Sequence, residues 1–124
     1  MSEAQFGRMQ HRIMRVIWER GRVSARDITE ALNRDEPVAH STVQTLLRQL
    51  EGKGAIGHEA RGRTFVFFPL VEEDRVRRGA TRDLLDRVFG GRAGDLVAHL
   101  LRTERLSEAE LDELRRLIDR RRKG

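Results

Sequence analysis

The chain has 124 residues, no cysteine and a formal net charge of +5, and only 38% of its residues are apolar. This length fits one domain, or one small domain with an attached element. The low apolar fraction permits only a small core, which favours a subunit that gains buried surface by oligomerising. The absence of cysteine excludes disulfides, thiolate nucleophiles and thiolate metal sites. The sequence has no run near the ~18 apolar residues of a membrane span and no signal-like start, so we expect a cytoplasmic protein without membrane insertion.

Three short helices are predicted in the first half of the chain. The first covers residues 7–20 and ends at Gly21. The second covers residues 25–33 and follows Ser24, whose spacing from Asp27 is typical of an N-cap. The residues expected to face inward from these two helices are Met9, Ile13, Val16, Ile17, Ala25, Ile28, Ala31 and Leu32, with Trp18 at an edge.

The third helix is predicted to be amphipathic. Ser41 with Gln44 three residues later indicates a capping box, so the helix is expected from about Thr42 to Lys53, with Gly54 as a left-handed closing residue. Its apolar residues recur at i, i+3, i+4 and i+7, which predicts one buried face. They are Val43, Leu46, Leu47 and Leu50.

The opposite face of this helix carries hydroxyl, amide and guanidinium groups and no carboxylate. Such groups suit the DNA major groove, where hydroxyls and amides meet base edges and arginine can bind guanine with two hydrogen bonds. Double-stranded DNA is therefore the expected partner. The residues predicted to contact it from this helix are Ser41, Thr42, Gln44, Thr45 and Arg48.

A basic hairpin is predicted directly after the third helix. Two strand-like runs, residues 56–60 and 64–68, are joined across Arg61 and Gly62, where glycine tolerates a positive φ. The second run is so apolar that one of its faces must rest against the helices. Three helices and a hairpin with Arg61 and Arg63 at its tip predict a winged helix-turn-helix, whose hairpin reaches the flanking DNA backbone. The alternative is a helical domain with a functionally neutral hairpin.

The rest of the chain is predicted to be helical. Acidic residues 72–74 favour a helix start, and residues 90–94 interrupt the helical pattern. A short helix is predicted at residues 95–102, and Ser107 with Glu110 indicates a capping box at the start of the last helix. The apolar stripes of these helices have no evident cover in the same chain, which predicts a twofold dimer. The expected dimerisation residues are Leu84, Val88, Leu96, Leu100, Leu111, Leu114 and Ile118.

The predicted fold is therefore mainly α with a small β-hairpin wing. Residues 1–70 are expected to form a winged helix-turn-helix DNA-binding domain, and residues 71–124 a C-terminal helical dimerisation domain. The first of these holds eleven Lys and Arg against eight Asp and Glu, a mild excess that makes geometry a better guide to DNA binding than charge. The closing basic residues 120–123 suit a helix C-terminus, and a solvated tail is favoured there over a second DNA site.

Six short motifs are distributed along nearly the whole chain. They are Ile-Met-Arg-Val-Ile-Trp at 13–18, Thr-Val-Gln-Thr-Leu-Leu-Arg-Gln-Leu at 42–50, Lys-Gly-Ala-Ile at 53–56, Gly-Arg-Thr-Phe-Val-Phe at 62–67, Pro-Leu at 69–70 and Leu-Ser-Glu-Ala-Glu-Leu at 106–111. With these motifs the chain resembles the penicillinase-repressor (BlaI/MecI) family of winged-helix regulators almost end to end. The resemblance implies a homodimeric repressor that covers a palindromic operator of double-stranded DNA.

The resemblance also implies a mode of release. In the penicillinase branch the repressor is cut downstream of a membrane sensor-protease, at an asparagine-phenylalanine bond in the dimerisation domain. The matching positions here are His99 and Leu100, which form a candidate cleavage region with a different sequence. Copper-responsive relatives carry a C-terminal cysteine cluster, and its absence here excludes copper sensing by thiolates.

Two function classes other than a repressor remain open at this point. One is a winged-helix protein-interaction module without specific DNA binding, and the other is a small enzyme that uses its histidines. The four histidines have no metal-like spacing and no common carboxylate arrangement, so we expect no catalytic residues, no metal site and no cofactor. They are His11, His40, His58 and His99.

Overall fold

The computed structural model describes residues 6–124. The chain divides into two compact units, the first ending at Thr81 and the second covering Arg82–Gly124. The predicted mainly α fold with a small hairpin is confirmed. In chain order, the elements of the described residues are α1 (Arg8–Arg20), β1 (Val23–Ser24), α2 (Ala25–Leu32), α3 (His40–Gly52), β2 (Ile56–Arg61), β3 (Thr64–Pro69), α4 (Glu73–Phe89), α5 (Ala93–Thr103) and α6 (Glu108–Lys123).

The first unit is built on a single apolar core to which α1, α2, α3 and the strands all contribute. The predicted stripes of α2 and α3 supply most of their share of it, although Leu46, Ala25 and Ala31 are only half-buried. The core residues are Ile13, Met14, Ile17, Val23, Ile28, Leu32, Val43, Leu47, Leu50, Ala55, Ile56 and Phe67.

The inner face of α1 differs from the predicted one. Met9 and Val16 are only half-buried, whereas Met14 and Gln10 are buried. The Gln10 amide can be buried because its polar atoms are satisfied: Oε1 accepts from Lys53 Nζ at 2.8 Å, and Nε2 donates to Gln49 Oε1 at 3.0 Å. A polar residue therefore completes the stripe that binds α1 to the end of α3.

The predicted start of the third helix is wrong. The helix α3 begins at His40, and its N-cap is Ala39, which makes no side-chain cap hydrogen bond. The backbone N–H groups of Thr42 and Val43 donate to the Ala39 carbonyl at 3.0 and 3.1 Å, so Ser41 already lies in the first helical turn. The N-cap predicted at Ser24 is confirmed, since its Oγ accepts from the Asp27 N–H at 3.1 Å.

The end of α3 is a Schellman motif, as the glycine at position 54 predicted. Gly54 has a φ of +77°. Its N–H donates to the Glu51 carbonyl at 2.9 Å, and the Ala55 N–H donates to the Leu50 carbonyl at 3.0 Å. The motif reverses the chain and leads it directly into β2.

The hairpin is anchored by a strand that the sequence did not reveal. β1 pairs antiparallel with β3 through Val23 and Phe67, which gives the sheet order β1-β3-β2. A two-residue strand is too short to show an alternating pattern. The hairpin loop also differs from the predicted one: Arg61 pairs with Thr64, so Gly62, with a φ of +63°, and Arg63 form the two-residue turn.

The helices of the second unit bury few of their side chains within the chain. None of the side chains in residues 82–124, all of which the structure describes, is fully buried. The predicted capping box is confirmed, because Ser107 Oγ accepts from the Glu110 N–H and Glu110 Oε1 accepts from the Ser107 N–H, both at 3.1 Å. The Arg82 guanidinium contacts both carboxylate oxygens of Asp86 at 3.2 Å or less, and these hydrogen bonds lower the pKa of Asp86.

Within residues 6–124 no helix has the length and apolar character needed to cross a bilayer.

The two glycines at the end of α3 should respond oppositely to alanine. Gly54→Ala should destabilise the protein by about 1–2 kcal/mol, because a Cβ disfavours the left-handed conformation. Gly52→Ala should stabilise it by about 0.5–1 kcal/mol, since Gly52 is helical and nothing lies within 4 Å of an added Cβ at either position. Urea unfolding measures both. Equal effects would show that the closing geometry of α3 does not depend on residue 54.

Candidate nucleic-acid interface

The outer face of α3 brings the predicted reading residues together. All five are exposed, whereas Val43, Leu47 and Leu50, which lie on the opposite face of the helix, are buried. The helix therefore cannot rotate without exposing its apolar stripe, and its polar face is fixed towards solvent. The exposed set is Ser41, Thr42, Gln44, Thr45 and Arg48.

Within this face, Thr45 lies between a backbone acceptor and a cation. Its Oγ1 donates to the Ser41 carbonyl at 3.1 Å and accepts from Arg48 Nη2 at 3.3 Å. Arg48 forms no ion pair with any residue between 6 and 124. Its guanidinium is thus loosely held by a neutral neighbour, and its charge and remaining donors are available to a ligand.

The two arginines of the hairpin differ in their surroundings. Arg61 lies in β2, and its Nη2 is 3.6 Å from Glu59 Oε1. The same Glu59 oxygen accepts a hydrogen bond from Arg22, whose guanidinium lies over the Phe68 ring at 5.0 Å. Arg63 occupies the turn and has no acidic partner in the described part of the chain. Arg63 is therefore the less neutralised of the two predicted wing cations.

A histidine connects α3 to the wing, and no sequence pattern pointed to it. His58 Nδ1 in β2 lies 2.7 Å from Glu51 Oε2 near the end of α3. The His58 ring also packs against Phe65 and Phe67, with centroid distances of 4.6 and 5.7 Å. These contacts hold the hairpin against the end of the helix, so the polar face of α3 and the wing form a single surface.

An open cleft of about 690 Å³ lies between α3, the wing and the start of α2. Leu47, Phe65 and Phe67 are apolar residues of its lining, and Arg26, Arg48 and Arg63 are basic ones. The full lining is Ser24, Ala25, Arg26, His40, Gln44, Leu47, Arg48, Glu51, His58, Arg63, Thr64, Phe65 and Phe67.

The four histidines lie on four different elements and do not form a common site. His11 faces Trp18 edge-on at 6.0 Å, His40 Nδ1 is 2.8 Å from Thr29 Oγ1, and His99 lies 5.7 Å from the Phe89 ring. Within residues 6–124 there is no group of three His, Asp or Glu side chains that could hold a metal ion.

The predicted dimerisation residues of the second unit are largely open to solvent. Leu96 alone among the seven is half-buried, and His99 and Leu100 of the candidate cleavage region are both exposed on α5. Val97, Leu101 and Leu117, which belong to the same predicted apolar stripes but not to the seven expected dimerisation residues, are also exposed. The exposed predicted residues are Leu84, Val88, Leu100, Leu111, Leu114 and Ile118.

The contact between α3 and the wing should be measurable as a coupling energy. A double-mutant cycle with Glu51→Gln and His58→Ala should give about 0.2–1 kcal/mol, because both side chains are about one-third exposed and solvent screens the pair. Urea unfolding of the four proteins provides the measurement. The loss of ring contacts in His58→Ala cancels in the cycle. Additive effects would mean that the sheet alone positions the wing.

Comparisons with solved structures agree with this arrangement. The DNA-binding domain of the repressor BlaI aligns with a TM-score of 0.54 and 28% identity, over 60% of this chain and 90% of that one. The monomeric form of Bacillus licheniformis BlaI, solved in complex with the blaP half-operator, aligns with a TM-score of 0.50 and 30% identity, over 57% and 87%. The predicted winged helix-turn-helix architecture is confirmed.

Sequence comparisons extend the similarity to nearly the whole chain. The penicillinase repressor of Bacillus licheniformis is 28% identical over 107 residues, which cover 86% of this chain and 84% of the relative. The methicillin resistance regulatory protein MecI of Staphylococcus aureus is 28% identical over 108 residues, covering 87% and 88%. These relatives are regulators and not enzymes, in agreement with the non-enzymatic function expected. Because residues 6–120 match the penicillinase-repressor family, this chain is a member of that family.

Proposed function

We propose that the protein is a homodimeric, sequence-specific transcriptional repressor that binds a palindromic operator in the cytoplasm. In this proposal α3 enters the major groove and the wing meets the flanking backbone. Residues 1–70 act as the DNA-binding domain and residues 71–124 as the dimerisation domain. The residues proposed to contact DNA are Ser41, Thr42, Gln44, Thr45, Arg48, Arg61 and Arg63.

The observation that carries the proposal is the exposed polar face of α3 beside a cationic wing. The one carboxylate of α3, Glu51, lies 2.7 Å from His58 Nδ1 of the wing. The Thr45 hydroxyl and the Arg48 guanidinium lie next to each other on adjacent turns of α3. Both groups can form hydrogen bonds with base edges. Arg63 lies at the turn and offers an unneutralised charge, which suits a phosphate. A DNA strand that passes between α3 and the wing would run along the cleft between them.

Dimerisation is supported by the exposed apolar residues of the second unit. Leu111, Leu114 and Ile118 are between 37% and 57% exposed on one face of α6, and a second copy would remove this area from water. A twofold dimer presents two reading helices to two half-sites, as a palindrome requires. The solved complex of a relative's monomeric form with a half-operator fits this division of one operator between two copies.

We further propose that the repressor is released by proteolysis within the dimerisation domain, triggered by a membrane sensor-protease. The candidate bond joins His99 and Leu100, which are exposed on α5. A cut there would separate α6 from the DNA-binding domain. Two unlinked reading heads would then bind the operator much more weakly than a dimer, since each makes few phosphate contacts.

The general test is a gel-shift titration on fragmented genomic DNA at two salt concentrations. A repressor should select a small set of fragments, and its affinity should fall steeply as salt rises. A winged-helix module that binds only proteins would retain no fragment at either salt concentration. That outcome would remove DNA binding from the function of this chain.

Arg48 and Arg63 should contribute to binding in different ways. Arg48→Ala should weaken the free energy of binding to the specific operator by about 1–3 kcal/mol, because a base contact is lost. It should also reduce the ratio of affinities for the operator and for random DNA. Arg63→Ala should weaken specific and random DNA alike and reduce the log–log salt slope by about 0.9, because a phosphate contact is lost. Fluorescence anisotropy at several salt concentrations measures both quantities.

The matched control for these variants is Arg105→Ala, which removes the same charge from an exposed position between α5 and α6. It should leave affinity and salt slope close to those of the unmodified protein. If Arg48→Ala lowers specific and random binding equally, α3 contacts backbone and another element reads the sequence.

Leu114→Asp should produce monomers and weaken operator binding. A charge in the centre of the proposed interface would have to be desolvated without a partner, which strongly disfavours association. Ala109→Asp places the same residue on the opposite side of α6, where it is exposed, and should remain dimeric. Equilibrium sedimentation and anisotropy on the full operator report both effects. A dimeric Leu114→Asp protein would exclude α6 from the interface.

A further inference from the structure

We infer that two copies of α6 pack antiparallel across the twofold axis, with the acidic half of each helix against the basic half of the other. The inference rests on the proposed dimer and specifies its partner as a second copy of this chain in a defined orientation. It assigns a role in assembly to the basic end of the chain, where the sequence favoured a solvated tail over a second DNA site.

The first supporting observation is the separation of charge along α6. Residues 108–113 contain four acidic residues and no basic one, whereas residues 115–123 contain six basic residues and one acidic one. The helix dipole favours this order only within the first and last turns. Asp112, Glu113, Arg115 and Arg116 lie in the middle of the helix and follow the same separation, so the dipole does not account for it.

The second observation is that α6 does not neutralise its charges internally. In α4, ion pairs between residues four apart use up many of the charges, as in Arg77–Glu73 at 3.1 Å and Arg87–Asp83 at 3.2 Å. No charged side chain of α6 forms an ion pair with another residue of the described chain 6–124. Its acidic and basic halves are therefore both available to a partner.

The third observation is that the charges flank the exposed apolar stripe of α6. Glu108 precedes Leu111 by three residues, and Arg121 follows Ile118 by three, so all four lie on or beside one face. An antiparallel pair centred between Leu114 and Arg115 places Leu111 opposite the partner's Ile118 and Glu108 opposite the partner's Arg121. Apolar contact and charge attraction then occur in the same register.

A parallel pair of helices would have the opposite electrostatics. It would place acid against acid at one end and base against base at the other, and like charges across a helix pair are unfavourable. The antiparallel orientation satisfies both ends at once, because each end pairs with the other end of an identical helix. One sequence thus specifies its own copy as the complementary partner.

Charge reversal in the full-length protein tests the orientation. Glu108→Arg and Arg121→Glu should each raise the dimer dissociation constant about tenfold, because each change creates two repulsive pairs in a twofold dimer. The two changes combined in one chain should restore dissociation to within about threefold of the unmodified protein, since the attractive pairs are re-formed with reversed signs. Analytical ultracentrifugation measures the three constants.

The matched control is Arg120→Glu, which makes the same charge change on the side of α6 away from the stripe. It should leave the dissociation constant nearly unchanged. Raising the salt concentration should weaken the unmodified dimer, because salt screens the attraction between the acidic and basic halves of an antiparallel pair. A parallel pair would bind more tightly at high salt, because its repulsion would be screened.

Two results would overturn the inference, and they differ in what they leave standing. If the unmodified protein is dimeric and neither reversal weakens it, or if the combined variant is not restored, the antiparallel pairing is wrong and the dimer stands. If the unmodified protein is monomeric at all concentrations tested, the proposed dimer is wrong as well. Operator binding is measured separately, so its presence or absence affects neither conclusion.

Discussion

Burial of the α3 stripe is the constraint on which the proposed DNA-binding surface depends. Val43, Leu47 and Leu50 are nearly inaccessible in a core shared with α1 and α2. Rotating the helix to hide its polar residues would expose this stripe, and burial of each such side chain contributes about 1.5–3 kcal/mol. The hydroxyl, amide and guanidinium groups on the other side therefore face solvent because the apolar side is fixed.

The wing depends on the same helix end. The Schellman motif at Gly54 turns the chain into β2, and the contact between His58 and Glu51 then holds β2 beside α3. β1 adds a second attachment by pairing with β3 on the other side. Because the wing is held at both edges, Arg63 at its turn keeps a defined position relative to Arg48 on the helix. Such preorganisation is what recognition of a fixed DNA geometry requires.

The second unit follows a different principle. Helix α6 begins with a capping box, and the end of α4 carries ion pairs between residues four apart, yet none of the side chains of this unit is fully buried within one chain. The apolar faces of α5 and α6 therefore lack cover. In the proposed repressor the two tasks are divided: the first unit has its own apolar core, and the second would gain buried surface through association.

Features that depend on local spacing could be read from the sequence. The stripe of α3, the closing Gly54, the cap at Ser24 and the capping box at Ser107 each follow from residues within one or two turns, and the structure has all of them. The motif Thr-Val-Gln-Thr-Leu-Leu also sufficed to indicate the family. These predictions succeed because hydrogen bonds between near neighbours and helical periodicity are decided locally.

Other features depended on contacts between distant residues, and only the tertiary structure decided them. Ser41 is a good N-cap residue by sequence, yet the chain enters α3 at Ala39. The burial of Gln10 required Gln49 and Lys53, and β1 required β3, some forty residues away in each case. The pairing of His58 with Glu51 arises only after the chain reverses at Gly54. The sequence by itself therefore determined the helices, the apolar faces of α2 and α3 and the family. Tertiary packing decided where α3 begins, which residues of α1 are buried and how the wing is held, because those energies come from residues far apart in the chain.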